Sequence, residues 1–134
     1  GPFIIETSPR LGGDYISSYL TLASTGIDMD KAAIKVALGD IPNTKQKNMS
    51  YSYIKYLELP QGKTIKQIGN WKEILTKDDV VYANIFIKEG EIVQNISESS
   101  KRPGFVIVKG LSKMEVMQKT NYYCQQFNKY ITLN

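Results

Sequence analysis

Glu6-Thr7-Ser8-Pro9-Arg10-Leu11-Gly12-Gly13-Asp14 is the stretch that decides the reading of this chain, together with Phe3-Ile4-Ile5 before it. The apolar triplet predicts a short buried strand that ends in the carboxylate of Glu6. A carboxylate at a strand end projects into the crevice where α/β proteins bind ligands. Ser8 lies on the same side if the strand continues. Arg10 adds a planar anion clamp. Pro9 restricts the backbone, and Gly12 and Gly13 permit positive φ or a close backbone approach that exposes N–H groups. Carboxylate, guanidinium and free amides suit a magnesium-bound phosphate. A local surface ion pair between Glu6 and Arg10 beside a glycine-rich turn is the competing reading, and the pattern alone leaves both open.

The regions on either side divide the chain in two. Residues 15–23 mix apolar and polar positions and begin a helix. Residues 24–28 turn the chain towards an N-cap at Asp28. A helix is predicted over 29–38, with Ala33, Ile34, Ala37 and Leu38 on its apolar face and Gly39 at the C′ position. Residues 40–50 are polar, contain Pro42 and Asn43, and read as an exposed linker. The resulting boundary separates 1–42 from 43–134.

The second part is rich in β-structure. Strands are predicted at 51–59, 64–69, 80–88 and 105–109, with a short helix or turn around Trp71. Ser112 and Glu115 form a capping box that starts a final helix, whose apolar face is Val116, Met117, Tyr123, Cys124, Phe127 and Ile131. The fold class is α+β, with a small antiparallel sheet and a packed C-terminal helix.

Composition removes several chemistries. The 134 residues contain no histidine, which excludes a Ser-His-Asp triad, a Cys-His pair and a His-ligated zinc within the chain. The hard metal Mg²⁺ fits the remaining carboxylates. The single cysteine, Cys124, allows no internal disulfide. It reads as a buried structural thiol in a reducing, cytoplasmic setting. Seventeen Lys and Arg against 13 Asp and Glu give a net charge of +4. The cations are dispersed apart from Lys45 and Lys47, so they read as solvated faces rather than a nucleic-acid surface. The apolar runs fall far short of the ~20 residues that span a bilayer. Trp71 and the tyrosines read as core and interface packing. Ser99-Ser100-Lys101-Arg102-Pro103-Gly104 reads as a connecting loop, with Arg102 the one member placed to reach an active site in a complete enzyme. Lys63 after Gly62 is too little for a P-loop. Gly1-Pro2 is either native or the remnant of a protease site. The abrupt start inside a structured element suggests a fragment.

The decisive stretch resembles the Glu-x-Asn-x-Arg motif of ATP-grasp ligases, followed by a Gly-Gly-Asp-like run. Residues 19–28 and 32–39 look like the loop and helix that follow it. Residues 53–57, Gly62-Lys63, 80–90 and 102–107 look like the β-rich C-terminal subdomain. The similarity is to the branch of L-amino acid ligases and carbamoyl-phosphate-synthase-like enzymes. The resemblance implies that 1–42 is the last strand, loop and helix of an ATP-grasp domain and 43–134 the C-terminal subdomain. It implies ATP-dependent, ADP-forming activation of a carboxylate as an acyl phosphate that an amine then attacks, with Mg²⁺ and ATP as cofactors of the full-length enzyme. Glu6 matches a metal ligand. Arg10 matches the group holding the acyl phosphate or substrate carboxylate. Gly12, Gly13 and Asp14 match the loop that approaches the substrate. Ser8 stands where the family has Asn, and a hydroxyl is a weaker ligand than an amide carbonyl.

The resemblance also implies an upstream nucleotide-binding partner, so the chain is expected to bind no cofactor and to be inactive alone, and its unpaired strand edge is expected to favour a homodimer. The partners expected otherwise are small carboxylate and amine substrates, with no nucleic acid and no membrane. The reading from a different class is a non-catalytic α+β binding or scaffold module.

Overall fold

The computed structural model describes Gly1 and residues 3–134. Pro2, and with it the reading of Gly1-Pro2, lies outside the described residues. The architecture is built around one strand, β4 (Gly104–Gly110), which pairs antiparallel with β1 (Tyr51–Tyr56) on one side and β3 (Val80–Ile85) on the other. Residues 105–108 of β4 are all fully buried, so this strand is covered on both faces, which is why its sequence is a continuous apolar run rather than an alternation.

Alternation along β4 sends Val106 and Val108 to one face and Phe105 and Ile107 to the other. The first face is covered by α3 (Lys113–Tyr130). Tyr123, Cys124 and Phe127 of α3 join Val106, Val108, Leu57 and Ala83 in the main core. The helix starts as its capping box predicts. Ser112 Oγ accepts from the Glu115 amide at 3.2 Å, and the Glu115 carboxylate accepts from the Leu111 amide at 2.7 Å. Of the predicted apolar face, Met117 is exposed and its place is taken by Thr120, which is fully buried. The hydroxyl of Thr120 donates to the Val116 carbonyl at 3.0 Å and so carries no unpaired group into the core.

The helix ends earlier than the apolar periodicity suggests. Ile131, expected on the helix, begins β5 (Ile131–Leu133), which pairs antiparallel with β2 (Ile65–Ile68) in a second, two-stranded sheet. A three-residue strand gives no periodic signal of its own, and its pairing partner lies about half the chain away.

The second face of β4 is covered from the amino side. A π-helical turn over Ile16–Leu20 leads into α1 (Thr21–Thr25), and α2 (Met29–Ala37) follows. Asp28 caps α2 as expected, accepting from the Lys31 amide at 2.9 Å, and Gly39 takes φ +83° after its end. The expected burial of α2 does not occur: Ala32 is the buried residue, while Ile34 and Leu38 are 61% and 75% exposed. Residues 40–50 carry no regular element, yet their end is pinned to α1: the Lys47 and Asn48 amides donate to the Thr25 carbonyl, and Ser50 Oγ donates to the Ala23 carbonyl at 2.7 Å.

The expected buried strand at residues 3–6 is corrected. The segment forms no regular element and pairs with no strand among the described residues, and Phe3, Ile4 and Ile5 are 87–97% exposed. A strand needs a neighbour for its backbone groups and a second layer for its apolar side chains. The described residues supply neither at this position.

Candidate functional site

Glu6, Ser8 and Arg10 lie on the irregular amino-terminal segment, which bends at Pro9 and Arg10, and all three are exposed. Among the described residues, Glu6 and Ser8 make no hydrogen bond or ion pair. Arg10 donates from Nη1 to the neighbouring Leu11 carbonyl at 3.1 Å. The local ion pair between Glu6 and Arg10 is thus not formed among the described residues.

The glycine pair is better defined. The Gly12 carbonyl accepts from Ser17 Oγ at 3.1 Å, and the Gly13 carbonyl accepts from the Ile16 amide at 3.0 Å. Neither glycine amide donates to a protein acceptor among the described residues, so both N–H groups remain available at an exposed turn. The left-handed backbone falls just beyond the glycines, on Asp14 (φ +50°) and Tyr15 (φ +64°). Two consecutive non-glycine residues in this region must be held by their surroundings.

Those surroundings are a cluster on the second face of the sheet. Asp14 Oδ1 accepts from Arg102 Nη1 at 2.9 Å across 88 residues of sequence. The Arg102 guanidinium carbon sits 3.9 Å above the Tyr56 ring, a cation–π arrangement. The Tyr15 ring stacks on Phe105 at 4.3 Å, and Tyr19 stacks on Tyr82 at 4.7 Å. Burial is the main cause that raises the pKa of Tyr15, with Tyr82, Tyr19 and Asp14 adding to it. Burial also leads in raising that of Tyr56, opposed by the Arg102 charge and supported by Asp14. Both phenols stay neutral at ordinary pH and serve as packing and stacking surfaces. The Tyr56 hydroxyl is buried without a well-aligned hydrogen-bond partner.

Asp14, Tyr15, Tyr56, Phe86, Ser99, Ser100 and Arg102 line an open cavity of about 410 Å³. A second cleft, of about 720 Å³, lies between α1, residues 48–50 and the start of β3, where Lys109 is its one charged lining residue.

In the sequence Asp14 and Arg102 stand as separate signals, 88 residues apart, with nothing local to join them, and Tyr15 and Tyr56 look like ordinary packing residues. The nearest local signal is the position of Arg102 directly before Pro103 and the buried strand. Nothing in the spacing points to Asp14.

The fit of Mg²⁺ is limited by the donor set. No group of three or more Cys, Asp or Glu side chains that could hold a metal occurs among the described residues. Glu6 and Ser8 offer two oxygen-bearing side chains, whereas Mg²⁺ takes six oxygen ligands in a near-octahedral set. They do not make a magnesium site by themselves.

No protein-family model matches this sequence, and no characterised protein matches it at the sequence level. Solved structures do match its fold. One is an L-amino acid ligase from Bacillus licheniformis, similar over 99% of this chain with a TM-score of 0.67 and 19% identity. Another is a phosphoribosylglycinamide synthetase from Anaerococcus prevotii, similar over 93% of this chain with a TM-score of 0.70 and 18% identity. Both are ATP-grasp enzymes, and the chain has the α+β fold of their C-terminal piece. It spans about a third of the length of each, 32% and 31% respectively. No described helix is long and apolar enough to cross a membrane.

Proposed function

We propose that this chain is the C-terminal part of an ATP-dependent, ADP-forming ligase that joins a small carboxylate to an amine and is inactive by itself. The observation that carries the reading is the coincidence of two independent features. The fold matches the C-terminal piece of ATP-grasp enzymes over nearly the whole chain, and the residues from Glu6 to Asp14 resemble the Glu-x-Asn-x-Arg motif of ATP-grasp ligases, with Ser8 in place of Asn. In such chemistry a carboxylate oxygen attacks the γ-phosphorus of ATP and ADP leaves. The amine then attacks the acyl carbon, phosphate leaves, and the amine gives up a proton.

On this reading Arg10 holds the acyl phosphate or the substrate carboxylate through its guanidinium. Gly12 and Gly13 bring unpaired amides up to the substrate, with Asp14 closing the loop. Glu6 and Ser8 contribute oxygen donors to a metal site whose remaining ligands come from upstream of this chain. Residues 1–42 then complete the ATP-grasp domain and 43–134 form the subdomain behind it. The buried lone thiol of Cys124 supports a reducing, cytoplasmic setting.

The exposed Phe3-Ile4-Ile5 segment supports a missing structural neighbour. In the complete protein that neighbour is the upstream domain. In the isolated chain it is a second copy paired edge to edge. Light scattering of the isolated chain at high concentration should give a dimer mass, and a strictly monomeric mass removes the pairing.

The test of function uses the complete protein. ATP-dependent phosphate release with amino acids present should be abolished by Glu6→Gln with the circular dichroism spectrum unchanged. Turnover that survives Glu6→Gln, or ligase activity in the isolated chain, overturns the corresponding part of the reading.

A further inference from the structure

We infer that Arg102 is a positioning residue that locks the Gly12-Gly13-Asp14 loop onto the sheet, far from it in sequence. Its functional meaning rests on the proposed role of that loop, whereas its structural content does not.

Asp14 and Tyr15 both have left-handed φ angles. Asp tolerates that region through its short polar side chain, but Tyr does not favour it. Two such residues in sequence persist when each side chain is held. Tyr15 is held by its stack on Phe105 at 4.3 Å. Asp14 is held by Arg102 at 2.9 Å. The turn between them and the glycines closes through the Ile16 amide and the Gly13 carbonyl at 3.0 Å.

Arg102 suits this task because its own position is over-determined. Its guanidinium carbon lies over the Tyr56 ring, 3.9 Å from the ring centre. Its backbone leads into the buried pair Pro103 and Gly104. At Gly104 an added Cβ would fall 2.5 Å from the Asn84 carbonyl oxygen, so the chain there is clamped between β1 and β3. The clamp passes from the centre of the sheet through Arg102 to Asp14, and so to the two exposed glycine amides. The pair is partly solvated, with the Arg102 and Asp14 side chains 25% and 56% exposed, so salt weakens it.

Amide hydrogen exchange measured by NMR tests the inference. In Arg102→Ala the Ile16 amide should exchange about tenfold faster, while Val106, Val108 and Phe127 keep their protection. Asp14→Asn should give a smaller rise, because Asn keeps the left-handed preference and loses only the charge. Arg102→Lys should restore part of the protection, since it keeps the charge but loses the planar fork and the stacking face. In the unsubstituted chain, about 1 M salt should speed Ile16 exchange by about threefold, an effect that both charge-removing variants should lack.

An Ile16 amide unchanged in both Arg102→Ala and Asp14→Asn overturns the inference, as does a rise spread evenly over the sheet. Asp14→Asn alone decides the matter if Arg102→Ala fails to fold, because the Asp14 side chain is largely solvated. In the complete protein, Arg102→Ala should lower kcat/KM for the carboxylate substrate by about tenfold with the KM for ATP unchanged. A complete protein with no ligase activity at all sinks the proposed function and leaves the exchange result standing.

Discussion

The two faces of β4 are covered in different ways. On the α3 side, Val106 and Val108 meet Tyr123, Cys124 and Phe127 in an apolar core formed by one long, well-capped helix. On the amino side, Phe105 meets the rings of Tyr15, Tyr56, Tyr82 and Phe86, and the rim carries the Asp14–Arg102 pair. The first face resembles an ordinary protein interior. The second is an aromatic layer topped by charge, open to a cavity and covered by a turn with left-handed backbone. Stability is concentrated on the first face, and the groups that suit a ligand are concentrated on the second. Such a division is expected where a rigid scaffold presents a site carried on loops.

The largest effect should come from the α3 face. Phe127 is fully buried and its ring lies 5.7 Å from that of Trp71. Phe127→Ala should cost about 4 kcal/mol in chemical denaturation. A loss below about 1 kcal/mol would show that α3 is not the dominant cover.

Gly104 sits between the two faces. Gly104→Ala drives a methyl towards the Asn84 carbonyl and to 2.9 Å from a Leu57 methyl. It should cost about 2 kcal/mol and loosen both faces together. Loosening confined to one side, read from amide exchange, would break the idea of a shared central strand.

Tyr15→Ala should cost about 1.5 kcal/mol or less. It should expose residues 15–25 to protease while the α3 face stays protected. A global collapse instead would erase the distinction between the faces.

The smallest effect sharpens the comparison through pH. Asp79 accepts from the Tyr123 hydroxyl at 2.6 Å and pairs with Lys119 at 3.1 Å, which ties the start of β3 to α3. Partial burial opposes its charge, but the bonds from Tyr123 and Lys119 prevail and hold its pKa below the ordinary 3.8. A lowered carboxylate pKa stabilises the fold above the unfolded value, and that contribution is lost as pH falls through the lower folded value. Asp79→Asn should cost about 1 kcal/mol at neutral pH and flatten the acid limb of the stability curve. An unchanged acid limb would show that Asp79 does not join the two elements.

How much of this was legible in the sequence varies with the range of the interaction. The α3 start was legible because Ser112 and Glu115 act within one turn, and the Asp28 cap for the same reason. The strands β1, β3 and β4 were legible from their apolar patterning. The burial of α2 was misjudged because Ala33, Ile34, Ala37 and Leu38 have helical spacing but no described layer to face. The strand at residues 3–6 was misjudged because apolar composition states a preference for burial and does not supply the partner.

By itself the sequence determined what acts over a few residues: the caps, the turns, the strand patterning and the absence of imidazole chemistry. Tertiary structure alone decided that Thr120 replaces Met117 in the core, that Ile131 leaves the helix for a strand, and that Asp14 meets Arg102. These outcomes depend on contacts between residues far apart in the chain. Local propensity carries no term for such contacts, because each is set by which surfaces remain to be covered once the sheet has formed.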